Sequence, residues 1–176
     1  MKPKIEQTLV LLKPDACKRG LRGKIITRFE EHGYAIVKME QFLPDRELIK
    51  KLDVHYDEIG KLGARVGADV LMANIEYMAS GPVVAMVIEG PNAISGVRKI
   101  VGATQPSEAA PGTIRGDFCP AMTYAYSSAR ENNTALPNLV HASSSVEDAN
   151  AEIRLWFGSE VPTCYSYSVA GEEYLR

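Results

Sequence analysis

The sequence has few cysteines, few aromatic residues and almost no excess of one charge. Its three cysteines, Cys17, Cys119 and Cys164, are odd in number and far apart, and no C-x-x-C pair indicates zinc binding or redox chemistry. The 20 Lys and Arg against 22 Asp and Glu give a net charge of −2, which excludes a polybasic protein. We therefore expect buried or idle thiols and no nucleic-acid partner.

Long hydrophobic runs are also missing. No segment approaches the roughly 18 apolar residues of a membrane span, and the first seven residues carry charges where a secretory signal needs apolar side chains. These absences predict a cytoplasmic protein without a membrane segment. The 176 residues, 45% of them hydrophobic, suffice for one globular domain with its own core.

Several common active-site motifs are absent. The sequence has no G-x-x-x-x-G-K-[ST] phosphate loop, no G-x-G-x-x-G dinucleotide fingerprint, no G-x-S-x-G elbow and no H-E-x-x-H zinc helix. These absences therefore argue against four function classes: P-loop ATPases, dinucleotide-binding enzymes, serine hydrolases and zinc proteases. The sequence also contains no evident cluster of metal ligands, so we nominate no metal-binding residue.

Short apolar runs alternate with amphipathic segments along the chain. Extended patterns predict strands, and spacing of three and four residues between apolar positions predicts helices that end at glycines or begin at Pro, Asp or Ser. The predicted strands are 7–12, 34–43 and 83–88, with a shorter one at 139–140; the predicted helices are 21–32, 46–52, 69–79, 92–101 and 146–157; the predicted loops are 60–67 and 102–120. This order predicts an α+β fold, a ferredoxin-like βαββαβ arrangement with an antiparallel sheet and surrounding helices.

Three histidines could carry chemistry. His32 precedes Gly33 at a predicted helix end, where a polar or cationic side chain suits the helix dipole, so we assign it a structural role. For His55, on a predicted helix, a partly exposed surface position and a role in a site are equally good interpretations. His141 follows a short predicted strand and precedes a serine-rich helix start, and strand ends that lead into loops often hold reactive groups.

A basic cluster lies in and before the long loop. Arg98 ends a predicted helix, and Thr104 and Arg115 follow in a glycine-flanked segment. Arginine forks and hydroxyl donors suit phosphate oxygens, but Arg115 could equally pair with Asp117 as part of the loop framework. Spacing alone leaves these two interpretations open.

Several blocks of residues strongly resemble the nucleoside diphosphate kinase family, in the order of that family and from about residue 6 to residue 157. The blocks are Thr8-Leu-Val-Leu-Leu-Lys13-Pro14-Asp15-Ala16, Lys18-Arg19-Gly20, Ser80-Gly81-Pro82-Val83-Val84-Ala85-Met86-Val87, Val101-Gly102-Ala103-Thr104, Pro111-Gly112-Thr113-Ile114-Arg115-Gly116-Asp117-Phe118 and Asn138-Leu-Val-His141-Ala-Ser143. The resemblance implies one domain over 1–176, with a core at about 6–157, insertions at about 60–70 and 119–137, and a C-terminal tail at 158–176.

The resemblance also implies an activity. A γ-phosphoryl group, typically from ATP, would pass to a nucleoside diphosphate in two steps through a phosphohistidine. His141 matches the nucleophile, Glu152 matches the glutamate that orients it, and Ser143 matches the serine two residues beyond it. An imidazole attacks only through an unprotonated nitrogen, and a carboxylate can determine which nitrogen that is.

The remaining matched residues would bind the nucleotide. Arg98, Thr104 and Arg115 match phosphate-binding positions, Lys13 and Asn138 match positions that contact the sugar hydroxyls and the transferring phosphate, and Tyr56 matches a position near the nucleophile. The family uses Mg²⁺ held mainly by the nucleotide phosphates, which suits an ion that keeps its waters. Family members are homo-oligomers, either tetramers or hexamers, so we expect one here.

The chain departs from the family pattern in places. The aromatic pair that stacks on the nucleobase is absent, and Val70-Leu71 stands in its place, so we predict Val70 as the base contact. The histidine is followed by Ala142-Ser143-Ser144 where the family has Gly-Ser-Asp. Two alternatives remain. One is a nucleotide-binding or assembly module that binds without turnover, and the other is an RNA-recognition module, which the 7% aromatic content and the net charge disfavour.

Overall fold

The computed structural model describes residues 4–119, 134–159 and 161–163. Most of the predicted insertion at 119–137 and most of the tail at 158–176 lie outside these described residues. Within them, no helix combines the length and the apolar character that crossing a membrane would need.

Four strands and eight α-helices are present in the described residues. The strands are β1 (Ile5–Leu12), β2 (Ala35–Phe42), β3 (Val83–Pro91) and β4 (Val140–Ala142). The helices are α1 (Pro14–Lys18), α2 (Arg22–Glu31), α3 (Arg46–Asp53), α4 (Leu62–Val66), α5 (Ala68–Met78), α6 (Ala93–Val101), α7 (Ile114–Phe118) and α8 (Val146–Phe157). A π-helical segment, Val54–Ile59, follows α3, and a 3₁₀ turn, Pro106–Glu108, precedes α7.

The four strands form one sheet in the order β2-β3-β1-β4, and all three neighbouring pairs are antiparallel. The two central strands, β1 and β3, pair along their whole length from Ile5 opposite Pro91 to Leu12 opposite Val84. This strand order and direction confirm the predicted ferredoxin-like α+β fold.

Helices cover both faces of the sheet, which explains why β1 and β3 are nearly continuous apolar runs. Alternate residues of β1 point to opposite faces. Val10 and Leu12 pack with side chains of α2 and α6, such as Phe29. Leu9 and Leu11 pack on the other face with side chains of α3, α5 and α8. The site described below lies at the end of β4, on the side of α8.

The predicted loop at 60–67 is wrong in part, because the chain continues from α3 through the π-helical segment and into α4. The glycines in this stretch predicted irregular structure. Gly60 instead follows the π-helical segment directly, at a position with little room for a side chain. A Cβ at Gly60 would lie 3.0 Å from the carbonyl oxygen of Tyr56 and 3.1 Å from that of His55. The predicted loop at 102–120 likewise contains the 3₁₀ turn and α7, whose N-terminus is capped by Thr113.

Candidate active site

His141 owes its position to the pairing of β4 with β1. Its partner in the register is Leu11, and directly opposed residues share a face of the sheet, so the imidazole points toward α8. Just before β4, Leu139 has a φ of +67°, which is costly for a branched side chain. Its backbone is held on both sides, since the Lys13 amide donates to its carbonyl at 2.8 Å and its own amide donates to Asp15 Oδ2 at 3.1 Å.

Helix α8 brings a carboxylate to the imidazole. The helix begins after Ser145, whose hydroxyl accepts a bond from the Asp148 amide at 3.0 Å, and Glu152 follows on the buried side. Glu152 Oε1 lies 3.0 Å from His141 Nε2, and Ser143 Oγ donates to Glu152 Oε2 at 2.6 Å. Both carboxylate oxygens are therefore engaged, and Nδ1 is the ring nitrogen of His141 left without a hydrogen bond among the described residues.

The carboxyl group of Glu152 stays ionised although it is buried. Burial alone would raise its pKa, but the charges of His141 and His55 and the hydrogen bonds from His141 and Ser143 outweigh burial and lower the pKa below its usual range. An ionised carboxylate accepts a hydrogen bond from the N–H group at Nε2. The proton of His141 therefore stays on Nε2, and the electron pair stays on Nδ1.

His55 is buried, not partly exposed, so the surface interpretation is wrong. Its side chain is 2% exposed, and its ring meets the His141 ring edge-on at a centroid distance of 4.6 Å. Trp156 Nε1 donates to His55 Nδ1 at 3.3 Å. Burial, with the nearby charges of His141 and Lys13, lowers the pKa of His55 to about 3, so this ring is neutral at physiological pH. The π-helical segment puts His55 here, and no sequence period indicates it.

Two cationic side chains are buried at the cleft floor. Burial and the charge of Arg115 lower the pKa of Lys13 to about 8. Arg115 donates from Nε to the carbonyl of Asn138 at 3.1 Å, from Nη1 to that of Gly102 at 2.9 Å and from Nη2 to that of Val140 at 2.5 Å. Arg115 therefore braces the segment that leads to the nucleophile, and no pairing with Asp117 is needed to explain it. Asp117 instead pairs with Arg28.

Four buried side-chain polar atoms have no hydrogen-bond partner among the described residues, and two of the four belong to cleft residues. One is Asn138 Oδ1, whose amide nitrogen donates to the Thr104 carbonyl at 2.8 Å, and the other is the hydroxyl of Tyr56. Buried polar groups are nearly always satisfied in folded proteins. These atoms are therefore positioned to bond a ligand.

A cleft of about 480 Å³ collects most of the sequence-predicted site residues. The predicted residues that line it are Lys13, Tyr56, Arg98, Thr104, Arg115, Asn138, His141 and Glu152. Ser143 lies behind the cleft, fully buried against Glu152. Val70, in α5, is not among the lining residues. The residues before α5 that line the cleft include Ile59, Leu62 and Arg65. Their position depends on the π-helical segment and α4, which the sequence did not predict.

One group of potential metal ligands is present in the described residues. It consists of His55, His141 and Glu152, whose ligand atoms all lie within 4.8 Å of one another. The sequence did not show this cluster, because its members come from three separate elements. Beside Glu152, the described lining of the cleft holds one other carboxylate, that of Asp148, which accepts a hydrogen bond from Ser144.

Comparisons with known proteins identify the family of this chain. The family model described as nucleoside diphosphate kinase matches residues 6–161. A nucleoside diphosphate kinase of Pyrococcus furiosus is 43% identical over 98% of this chain and 94% of its own length, and one of Pyrococcus horikoshii is 46% identical over 88% and 87%.

Solved structures are similar as well. A transition-state mimic of the nucleoside diphosphate kinase of Borrelia burgdorferi, with bound vanadate and ADP, superposes with a TM-score of 0.82 at 35% identity, covering 98% of both chains. An enzyme from Pyrobaculum aerophilum gives 0.72 at 36% identity, covering 88% of this chain and 96% of that one. The chain therefore belongs to the nucleoside diphosphate kinase family, and its activity is that of a nucleoside-diphosphate kinase, a phosphotransferase.

Proposed function

We propose that Nδ1 of His141 takes the γ-phosphoryl group from a nucleoside triphosphate and then passes it to a nucleoside diphosphate. The observation that carries this proposal is the 3.0 Å contact between His141 Nε2 and Glu152 Oε1. Because Nε2 holds the proton toward the carboxylate, the electron pair of Nδ1 is available at the cleft. In each step one N–P bond forms or breaks as one P–O bond breaks or forms.

Glu152 is proposed as the positioning residue for this nucleophile. When the N–P bond forms, positive charge develops on the imidazole ring, and the buried carboxylate lies 3.0 Å away to stabilise it. Ser143 holds the second oxygen of that carboxylate at 2.6 Å and is itself bonded to β1, where the Leu9 amide donates to its hydroxyl at 3.1 Å. The orientation of the carboxylate is thereby tied to the sheet.

The cations of the cleft are proposed to hold the phosphates. Lys13, Arg98 and Arg115 line one cavity with His141, and phosphoryl transfer is accelerated mainly by positioning and charge stabilisation. Arg98 Nη1 approaches the carbonyl of Ala142 at 3.5 Å, beside the nucleophile. Thr104 lines the same cavity and is proposed as a further phosphate contact.

The sugar and the base are proposed to bind farther along the cleft. The unsatisfied Asn138 Oδ1 suits a ribose hydroxyl, and the unsatisfied hydroxyl of Tyr56, which lines the cleft together with His141, is a second group that can bond the ligand. Burial, with the charge of Glu152, raises the pKa of Tyr56 far above its usual range, so this hydroxyl keeps its proton and can donate. We move the base contact from Val70 to Ile59 and Leu62, which line the cleft.

Mg²⁺ fits this cleft as an ion bound chiefly through the nucleotide. Among the described residues, the cleft lining has four cationic side chains and only two carboxylates, Glu152 and Asp148, which is too few oxygen ligands for a protein cage. Mg²⁺ commonly binds through one or two carboxylates plus substrate phosphates. When bound, the ion would supply positive charge that neutralises the phosphates during transfer. The family has an aspartate at the position of Ser144. Asp148 is proposed to supply the carboxylate that this position lacks here.

The proposal also covers the oligomeric state, the cellular location and the domain organisation of the enzyme. An oligomer, tetrameric or hexameric, is supported by the edge strand β2, where Met39 is 55% exposed, and by Leu43 beside it, which is 59% exposed. A cytoplasmic location is supported by the free buried thiols of Cys17 and Cys119. The single-domain interpretation of 1–176 is supported by one sheet with a core on each face.

Labelling with γ-labelled ATP tests the proposed phosphohistidine. The protein is incubated with the labelled nucleotide and no acceptor, and a nucleoside diphosphate is added afterwards. His141→Asn should take up no label, whereas the matched variant His32→Asn, at an exposed helix end, should label like the wild type. Acid-labile label that moves to the acceptor is the expected result. Nucleotide binding without any label would instead favour the nucleotide-binding module.

A further inference from the structure

Three electron-pair donors converge behind the nucleophile. Glu152 Oε1 lies 3.0 Å from His141 Nε2 and 3.9 Å from His55 Nδ1, and the three ligand atoms are all within 4.8 Å of one another. In a tetrahedral zinc site, bonds of about 2.0–2.2 Å separate neighbouring ligand atoms by roughly 3.4 Å. The two distances to Oε1 bracket that separation, and the imidazole nitrogens lie within 4.8 Å of each other, so side-chain shifts within this cluster would complete a metal site.

The phosphoryl-transfer mechanism makes no use of His55. Because Trp156 donates to its Nδ1 at 3.3 Å, the neutral ring carries its hydrogen on Nε2 and its electron pair on Nδ1. The nitrogen that carries this electron pair, His55 Nδ1, lies 3.9 Å from Glu152 Oε1. Both atoms are acceptors, and they are too far apart for a hydrogen bond. The low pKa of His55 also means that a proton does not compete for this nitrogen.

We propose that His55, His141 and Glu152 form an inhibitory site for Zn²⁺ or a chemically similar divalent transition metal ion. Two imidazole nitrogens and one carboxylate oxygen are typical ligands of Zn²⁺, whereas Mg²⁺ prefers oxygen alone. Ser143 holds the outer oxygen of Glu152 at 2.6 Å, as carboxylate ligands are commonly held by a second hydrogen bond. The fourth position faces the cleft, where water completes the coordination.

Metal binding would move a proton on the nucleophile. A neutral imidazole that binds a metal through Nε2 carries its hydrogen on Nδ1. The proton now on Nε2 therefore passes through solvent to Nδ1, and the electron pair that attacks phosphorus is lost without a change in the number of protons. This inhibitory consequence rests on the proposed role of His141, but metal binding itself does not.

Binding is tested on the purified full-length chain, stripped with a chelator and titrated with Co²⁺ alone. Tetrahedral Co²⁺ absorbs visible light, so the site should appear as one saturable absorbing site per chain that Zn²⁺ displaces. His55→Gln should weaken Co²⁺ binding at least about tenfold, and His32→Gln, the matched control, should leave it unchanged. Equal binding by the wild type and His55→Gln, or no saturable site, would overturn the proposal.

Inhibition is tested by labelling with γ-labelled ATP at buffered free Zn²⁺ and excess Mg²⁺. Each protein is compared with its own rate in Mg²⁺ without Zn²⁺. Zn²⁺ should suppress the phosphoenzyme of the wild type and of His32→Gln and spare that of His55→Gln, while ADP binding stays within twofold. Equal suppression in all three proteins would overturn the proposal. A wild type that takes up no label in Mg²⁺ without Zn²⁺ would instead refute the proposed phosphohistidine and leave the binding result valid.

Trp156→Phe provides a second test that does not depend on the folding of His55→Gln. The indole N–H competes with a metal for the electron pair of His55 Nδ1. Its removal should therefore tighten Co²⁺ binding, whereas a role for Trp156 in packing alone predicts no change or weaker binding. Tighter binding supports the proposed site, and unchanged or weaker binding contradicts it.

Discussion

Glu152→Gln isolates the charge of the carboxylate from its shape. In the variant, the amide oxygen can still accept from His141 Nε2, where the present distance is 3.0 Å. The amide nitrogen can donate to Ser143, because that hydroxyl can turn its proton to the Leu9 carbonyl at 3.4 Å. The hydrogen bonds are thus kept, and the negative charge beside the reacting ring is lost.

The size of the effect follows from the charge that develops on His141. Hydrogen bonds to charged groups are worth about 1.5–3 kcal/mol, and Glu152 makes such a bond from a site that is 4% exposed. At about 1.4 kcal/mol for each tenfold change in rate, phosphoenzyme formation in Glu152→Gln should slow about 10- to 150-fold. The dissociation constant of ADP should not change, since the proposed phosphate contacts are made by other side chains.

The assay is single-turnover rapid quench with γ-labelled ATP, together with an ADP titration. Glu147→Gln is the matched control, because it removes the same charge from an exposed position of the same helix. A Glu152→Gln rate within twofold of that control would refute the argument. A loss of ADP affinity in step with the rate would also refute it, because Glu152 would then act on nucleotide binding and not on the nucleophile.

Three further predictions follow from the buried groups. Arg115→Lys should lower the free energy of unfolding by about 2–4 kcal/mol, measured by urea denaturation, because lysine cannot bond all three carbonyls that the guanidinium bonds. ADP affinity should fall as the pH rises through about 8, where Lys13 loses its charge, and Lys13→Arg should bind without that fall. The folded state excludes a proton from His55, whose pKa is about 3 against 6.5 in the unfolded chain. Its contribution to stability is therefore complete above pH 6.5 and is lost as the pH falls toward 3, and His55→Gln should flatten this acid limb of a plot of unfolding free energy against pH.

Local signals in the sequence were sufficient for most of the fold. Asp45 caps α3 by accepting a bond from the Leu48 amide at 2.8 Å, Ser145 caps α8, and Gly158 ends α8 with a φ of +75°. Each of these signals acts within one turn of the chain, so the sequence alone carries it. The apolar runs also predicted strands at 7–12 and 83–88, where the structure has β1 and β3.

Other features had no local signal. The π-helical segment Val54–Ile59 packs against α4, α5 and α8, the last of which is distant in sequence, and it takes His55 into the interior. The predicted base contact, Val70, relied on a resemblance in a stretch where we predicted an insertion relative to the family pattern. An insertion changes which side chains face the cleft, and no periodicity shows that change.

The sequence alone determined the candidate nucleophile, its glutamate partner and the cations, because these residues stand in blocks that resemble a known family. Only the tertiary structure decided how they meet. The register of β4 on β1 directs His141 to α8, and the burial of α8 brings Glu152 within 3.0 Å of it. The third member, His55, joins them from far along the chain. Such contacts depend on strand pairing and helix packing between distant segments, and these long-range interactions leave no pattern in any short stretch of sequence.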